Sequence, residues 1–296
     1  MERVMVFLFP VVIWFILFLR KKNSFKFGLT PMSLEIKQIK GLKKLSDDVE
    51  KSLSKSYMEN VEERVGTKLK ANDYQWRLLD LKRYFILTSL LKESPMFSKK
   101  VDALWHLMLM FTREYADFSK RYLGTTLHHS PNVNGLPDPD LRGYFDWVYA
   151  ELFHIRKENI HLYKGFFRHP VHPTVIDEFK NLPENELIDL YFKSDTKYTT
   201  TVFSLISSMK RTVNKVKDYE RKVIQEKMEK SKKEEKYSSM LVPFLSASYF
   251  HYDEFSSYMK VSSYSSSSCT SCGSGSSCSG SCSSCSSCSS CGGGGD

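Results

Sequence analysis

Between Val101 and Tyr122 the large apolar side chains return every three or four residues, a spacing that fits a helix and no strand. At about 100° per residue, Leu104, Met108, Phe111, Tyr115, Phe118 and Tyr122 share one face, with Trp105 and Leu107 on its flanks. Asp102, His106, Arg113, Asp117 and Lys120 take the opposite stripe. A face this wide and aromatic belongs in a core, where each large side chain contributes roughly 1.5–3 kcal/mol. The pattern predicts one continuous helix over 101–122 at the centre of its domain. Gly124 stands where a left-handed cap is expected, and Lys120 and Arg121 suit the negative end of the helix dipole.

The same period recurs elsewhere, while the alternation of strands is almost missing, so the predicted fold class is all-α, a helical bundle. Leu34, Ile36, Ile39, Leu42, Leu45, Val49 and Leu53 predict helix from Ser33 to about Leu69, either a stalk or the first helix of the domain. A second helix is expected from about Asp73 to Lys92, closed by Ser94-Pro95, and Ser98 suits the N-cap of the next. Asp138 followed by Pro139 opens another, with Leu141, Tyr144, Phe145, Val148, Leu152 and Ile155 as its apolar stripe. Val202, Ile206, Met209, Val213, Val216 and Val223 predict one long helix over 197–236, read as a coiled-coil seam. Residues 238–260 are aromatic and are expected to pack back on the domain or on a membrane surface.

The two ends are different material. Residues 4–19 carry no charge and stop at Arg20-Lys21-Lys22, with Lys26 close behind. This reads as a retained single-pass transmembrane anchor, with the body on the cytoplasmic side. The net charge of +9 then has anionic lipid as its natural partner. Acids interleave with the lysines of residues 210–236, which argues against nucleic acid. The chain divides into an anchor (1–22), a juxtamembrane helical segment (23–72), a helical domain (73–195), a long helix with an aromatic segment (196–260) and a tail (261–296). That tail is serine, cysteine and glycine without apolar residues to bury, a disordered composition. It holds all seven cysteines: Cys269, Cys272, Cys278, Cys282, Cys285, Cys288 and Cys291. Their spacing suits thiolate binding of zinc or Cu(I), although a Ser-Ser-Cys repeat produces it automatically. With none in the body, neither a disulfide framework nor a cysteine nucleophile is available there.

The groups able to do chemistry gather at the 101–131 stretch. Asp102 and His106 lie one helical turn apart. Past Gly124, the pair His128-His129 can fold back toward them, with Tyr115 or Arg113 nearby. Three imidazoles and a carboxylate suit a divalent metal such as zinc. An Asp–His contact on a solvated face, with loop histidines bound to carbonyls, accounts for the same residues structurally. His169 and His172, in the proline-rigidified GFFRHPVHP loop, are a further candidate pair for the same site.

The stretch reads V-D-x-x-W-H (Val101, Asp102, Trp105, His106), then T-x-x-Y-x-x-F (Thr112, Tyr115, Phe118), then G-x-x-x-H-H-x-P (Gly124, His128, His129, Pro131). It resembles the glycine-rich domain-containing protein-like family over about thirty residues. The resemblance implies a helical domain with the motif acting as a unit, and it implies bacterial relatives that are membrane proteins with low-complexity C-termini. It brings no activity. Family members often carry Cys where this chain has Ser119, which argues against an essential thiol. Together these readings predict a non-enzymatic, membrane-anchored interaction or scaffold protein that meets other proteins through helical surfaces. The alternatives are a metal-dependent enzyme using the His/Asp group, and a membrane-tethered tail that binds metal through its thiols.

Overall fold

The computed structural model describes residues 28, 30–31, 33–129 and 139–261. They hold thirteen α-helices and no strand beyond two isolated bridges, so the all-α expectation is met. No helix among the described residues is long and apolar enough to cross a membrane. That corrects the expectation of a single-pass membrane protein. The stretch on which it rested, residues 4–19, lies outside the described residues, as do Asp138 and the cysteine-bearing tail.

Helix α1 (Leu42–Ser52) and helix α2 (Lys55–Val65) replace the continuous helix expected from Ser33. Ser54 divides them: its backbone is extended and its hydroxyl accepts the Tyr57 N–H, the usual N-cap arrangement. Leu42, Leu45 and Val49 are fully buried, so this segment is part of the core rather than a free stalk. Upstream of Leu42 the chain runs non-helically along helix α6 (Pro139–Leu152), with the Lys37 N–H on the Leu152 carbonyl and the His154 N–H on that of Glu35.

The centre of the molecule is helix α3 (Ala71–Leu90) together with α6, and not the 101–122 stretch. From Leu78 to Leu90 every residue of α3 but Lys82 is buried, as is every residue of α6 from Arg142 to Leu152. A helix buried on all sides loses its amphipathic signature. Here the signature was hidden further by charges that pair inside. Asp80 and Arg83 of α3 meet Tyr149 of α6 through two buried hydrogen bonds, the Tyr149 hydroxyl donating to Asp80 Oδ1 (2.5 Å) and Arg83 Nη1 donating to the Tyr149 oxygen (2.6 Å). Asn159 completes the carboxylate at 2.9 Å. Within α6, Arg142 donates to Asp146 (2.8 Å), whose other oxygen accepts the Phe167 N–H (2.7 Å) and so holds the following turn. Gly143 lets that turn come close, since a Cβ there would lie 2.0 Å from the Pro170 carbonyl oxygen.

The predicted 101–122 helix is two: α4 (Lys99–Leu109) and α5 (Thr112–Leu123). At Phe111 the backbone leaves the helical region (φ −93°, ψ 68°). In an unbroken helix the Met108 carbonyl would accept from residue 112. Instead it accepts the Phe111 N–H at 3.1 Å and the buried Tyr57 hydroxyl at 2.8 Å, and the Tyr57 and Phe111 rings meet edge to face. Periodicity carries on across the break because both halves face the same core, which is why the sequence does not betray it.

Beyond α6 come α7 (Lys157–Tyr163), α8 (Pro173–Asn181), α9 (Glu184–Tyr191), α10 (Thr199–Val213), α11 (Arg221–Lys233), α12 (Leu241–Phe250) and α13 (Phe255–Tyr258). The helix expected over 197–236 is thus interrupted at 214–220. Val202, Ile206, Met209 and Val213 on one side of the break, and Ile224 and Met228 on the other, are buried within the same chain's core. Their heptad-like spacing serves that core rather than a coiled-coil partner.

Candidate metal centre

Helix α4 begins at Ser98, whose buried hydroxyl accepts the Val101 N–H (3.3 Å) and donates to the Leu162 carbonyl (2.9 Å). That double bond fixes the start of the helix. It places Asp102 in the first turn, where the helix dipole favours a carboxylate, and His106 one turn later on the same side. Trp105 points inward and is buried against Phe85 and Tyr84.

A buried indole and a buried phenol each need a partner for their polar tip. Trp105 Nε1–H donates to the Tyr115 oxygen at 3.0 Å, and the Tyr115 hydroxyl donates to the Leu127 carbonyl at 2.8 Å. Burial pushes the Tyr115 hydroxyl above its ordinary pKa, so it stays protonated and keeps donating. This ladder draws the chain back after α5. Gly124, in the left-handed region at φ 78°, supplies the reversal and caps α5 by donating to the Lys120 carbonyl. Leu127 is buried, His128 is exposed and His129 turns in again, an alternation that puts neighbouring side chains on opposite sides.

His129 arrives beside α4. Its ring stands edge-on to Trp105 at 4.4 Å and to His106 at 4.5 Å, and its Nε2 is 3.0 Å from Asp102 Oδ1. His106 Nδ1 lies 2.9 Å from the main-chain oxygen of Asp102 and 3.4 Å from Oδ2. One ligand atom from each of Asp102, His106 and His129 lies within 4.8 Å of the others. The side chains of His129, Asp102 and His106 are 10%, 31% and 54% exposed, so the group is anchored at its inner end and open at its outer one.

These donors fit a divalent ion. A carboxylate and two imidazoles are ordinary ligands of zinc and its neighbours, at about 2.0–2.2 Å from the ion. Two ligands on one ion therefore stand at most roughly 4 Å apart. The half-exposed His106 has room to turn toward an ion, while Trp105 packs against His129. The space bounded by Asp102 Oδ1, His129 Nε2 and the His106 ring is where the ion would sit.

Of the four residues the sequence nominated as ligands, three come together and His128 does not. His172 is used elsewhere: it caps α8 by accepting the Thr174 N–H, and its ring packs on Tyr252. His169 is not in the group; burial, Arg142 and Arg168 hold its pKa below the usual imidazole range. Arg113 is exposed and lines a cleft with Ser52, Ser54 and Ser56, and Tyr115 acts through Trp105 and Leu127 rather than as a ligand. In the sequence Trp105 stands out only as a flank of the apolar face. Its position next to His106, with a hydroxyl-bearing Tyr115 on the same face, was the available signal for a scaffold behind the site.

Residues 47–139 match the family model described as UCP032817-like, a stretch that is under half of the chain and encloses Asp102, His106 and His129. No curated protein and no solved structure matches the chain.

Proposed function

We propose that this protein binds a divalent metal ion through Asp102, His106 and His129. The observation that carries the reading is the return of His129 to the Asp102–His106 turn, held by the Trp105–Tyr115–Leu127 ladder. A loop histidine with no task needs no such support. Two imidazoles and one carboxylate drawn from two segments 27 positions apart, by residue number, match the donor sets of mononuclear sites in metalloenzymes. The resemblance to the glycine-rich domain-containing protein-like family supports reading the motif as a unit, since Asp102, Trp105, His106, Tyr115 and His129 are joined here by direct contacts. An interaction or scaffold role rests, among the described residues, on the exposed large apolar side chains Met110, Leu190, Phe203 and Phe250, and exposed apolar residues are common on protein surfaces.

The test uses the full chain with its seven tail cysteines changed to serine, so that thiolates cannot supply the signal. After equilibration with zinc and removal of loose ions, one equivalent of metal per chain is expected, falling to none in Asp102→Ala. A folded parent chain that retains no zinc would end the proposal.

A further inference from the structure

Resting on the metal reading above, a second question concerns what completes the coordination. Structural zinc sites close with four protein ligands, whereas catalytic ones keep three and leave a position for solvent or substrate. The only group of three or more potential ligands among the described residues is Asp102, His106 and His129, and it supplies three. His128 is the natural fourth candidate, yet its neighbours exclude it. Leu127 is tied inward by Tyr115 and His129 by Asp102, so the side chain between them is turned out to solvent. Thiolates are not available from the body, which has no cysteine.

The open side faces water, because His106 is more than half exposed and Asp102 nearly a third. Charge then selects what enters. A divalent ion met by one carboxylate and two neutral imidazoles keeps a net positive charge, and a bound cation of this kind dominates the local field. We propose that the ion in this centre keeps a solvent-exchangeable position and binds small anionic oxygen or nitrogen donors there. Hydroxide, or a carboxylate or phosphate oxygen of a substrate, belongs to that class. Such a position distinguishes a centre able to polarise a ligand or deliver bound hydroxide from one that only fastens a loop to a helix.

Cobalt(II) in place of zinc, in the full chain with serines for the tail cysteines, makes the position visible, with azide as the probe. The parent is expected to show cobalt ligand-field bands that shift saturably as azide is added, and His128→Ala is expected to show the same bands and the same shift. His129→Ala should lose the bands while remaining folded by circular dichroism. Bands that ignore azide, or that change when His128 is replaced, would show a closed four-ligand site and overturn the open-position inference alone. Absence of cobalt bands in the folded parent would remove the metal reading and this inference with it.

Discussion

Arg83→Ala is expected to lower stability by about 3–5 kcal/mol, the cost of leaving a buried charge without its partner. Arg83 is fully buried. Its Nε donates to the Leu34 carbonyl at 3.0 Å and its Nη1 to the Tyr149 oxygen, while its guanidinium lies 5.0 Å from the Phe153 ring centroid and 3.8 Å from Asp80 Oδ1. Truncation releases the N-terminal segment at Leu34, empties a site between α3 and α6, and leaves the Asp80 carboxylate with the Tyr149 and Asn159 hydrogen bonds but without its neighbouring cation. Burial already pushes the Asp80 pKa up, and Arg83 is the first of the influences holding it down. In the variant the folded state therefore holds the Asp80 proton more tightly than the unfolded chain does. A carboxyl with a raised folded pKa favours the fold at low pH and disfavours it as pH rises. The deficit of Arg83→Ala should accordingly be larger at neutral than at mildly acidic pH. Denaturant unfolding of the parent and variant at both pH values measures this. A loss under about 1 kcal/mol, the worth of one ordinary hydrogen bond, would mean the network is not what joins the two central helices.

The second large effect is on metal affinity. His129→Ala is expected to weaken zinc binding by about 100-fold or more, since changing even a group that only orients a ligand costs 10–100-fold. The fold should survive, because His129 sits at the edge of the core and its backbone is placed by Leu127 and Tyr115 rather than by its own ring. Trp105→Ala makes the informative contrast. Trp105 is 3% exposed and packs on Phe85, Tyr84 and His129. Its loss should cost about 3–5 kcal/mol of stability as well as metal affinity. Isothermal titration with zinc, alongside unfolding curves, separates the two variants. Equal zinc affinity in the parent and His129→Ala would place the ion elsewhere.

How much of this was readable in advance depends on where the polar residues lie. Helix α5 was legible because it is half-exposed: its core residues Tyr115, Phe118 and Tyr122 alternate with solvated charges at helical spacing. Helices α3 and α6 were legible as helices but not as the centre, because Asp80, Arg83, Arg142, Asp146 and Glu151 look like surface residues until their partners are known. Glu151 shows the point: it is buried and accepts hydrogen bonds from Ser208 and Thr212 of α10, which are 57 and 61 positions away. No local pattern announces such pairs. The break at Phe111 was invisible for a related reason, since it is fixed by the Tyr57 hydroxyl from another helix.

Of the candidate site, the residue types were legible, and which of them meet was legible only in part, since His128 was nominated and stands apart. The i, i+4 spacing put Asp102 and His106 together directly. Which of two adjacent histidines turns inward depends on the backbone between Gly124 and His129. That path is set by a Trp–Tyr–carbonyl chain that sequence spacing cannot specify. His172, in the proline-flanked loop, shows the converse: a loop can hold a histidine for capping and packing alone.

The most direct test of the metal centre is the zinc-edge anomalous difference map of crystals of the full chain, tail cysteines replaced by serine, grown with zinc. One strong peak is expected, bounded by Asp102, His106 and His129 at the roughly 2.0–2.2 Å of zinc–nitrogen and zinc–oxygen bonds, with His128 directed away from it. A map with no peak there, while His129 still lies against Asp102, would make the contact a structural latch and rule out the metal centre.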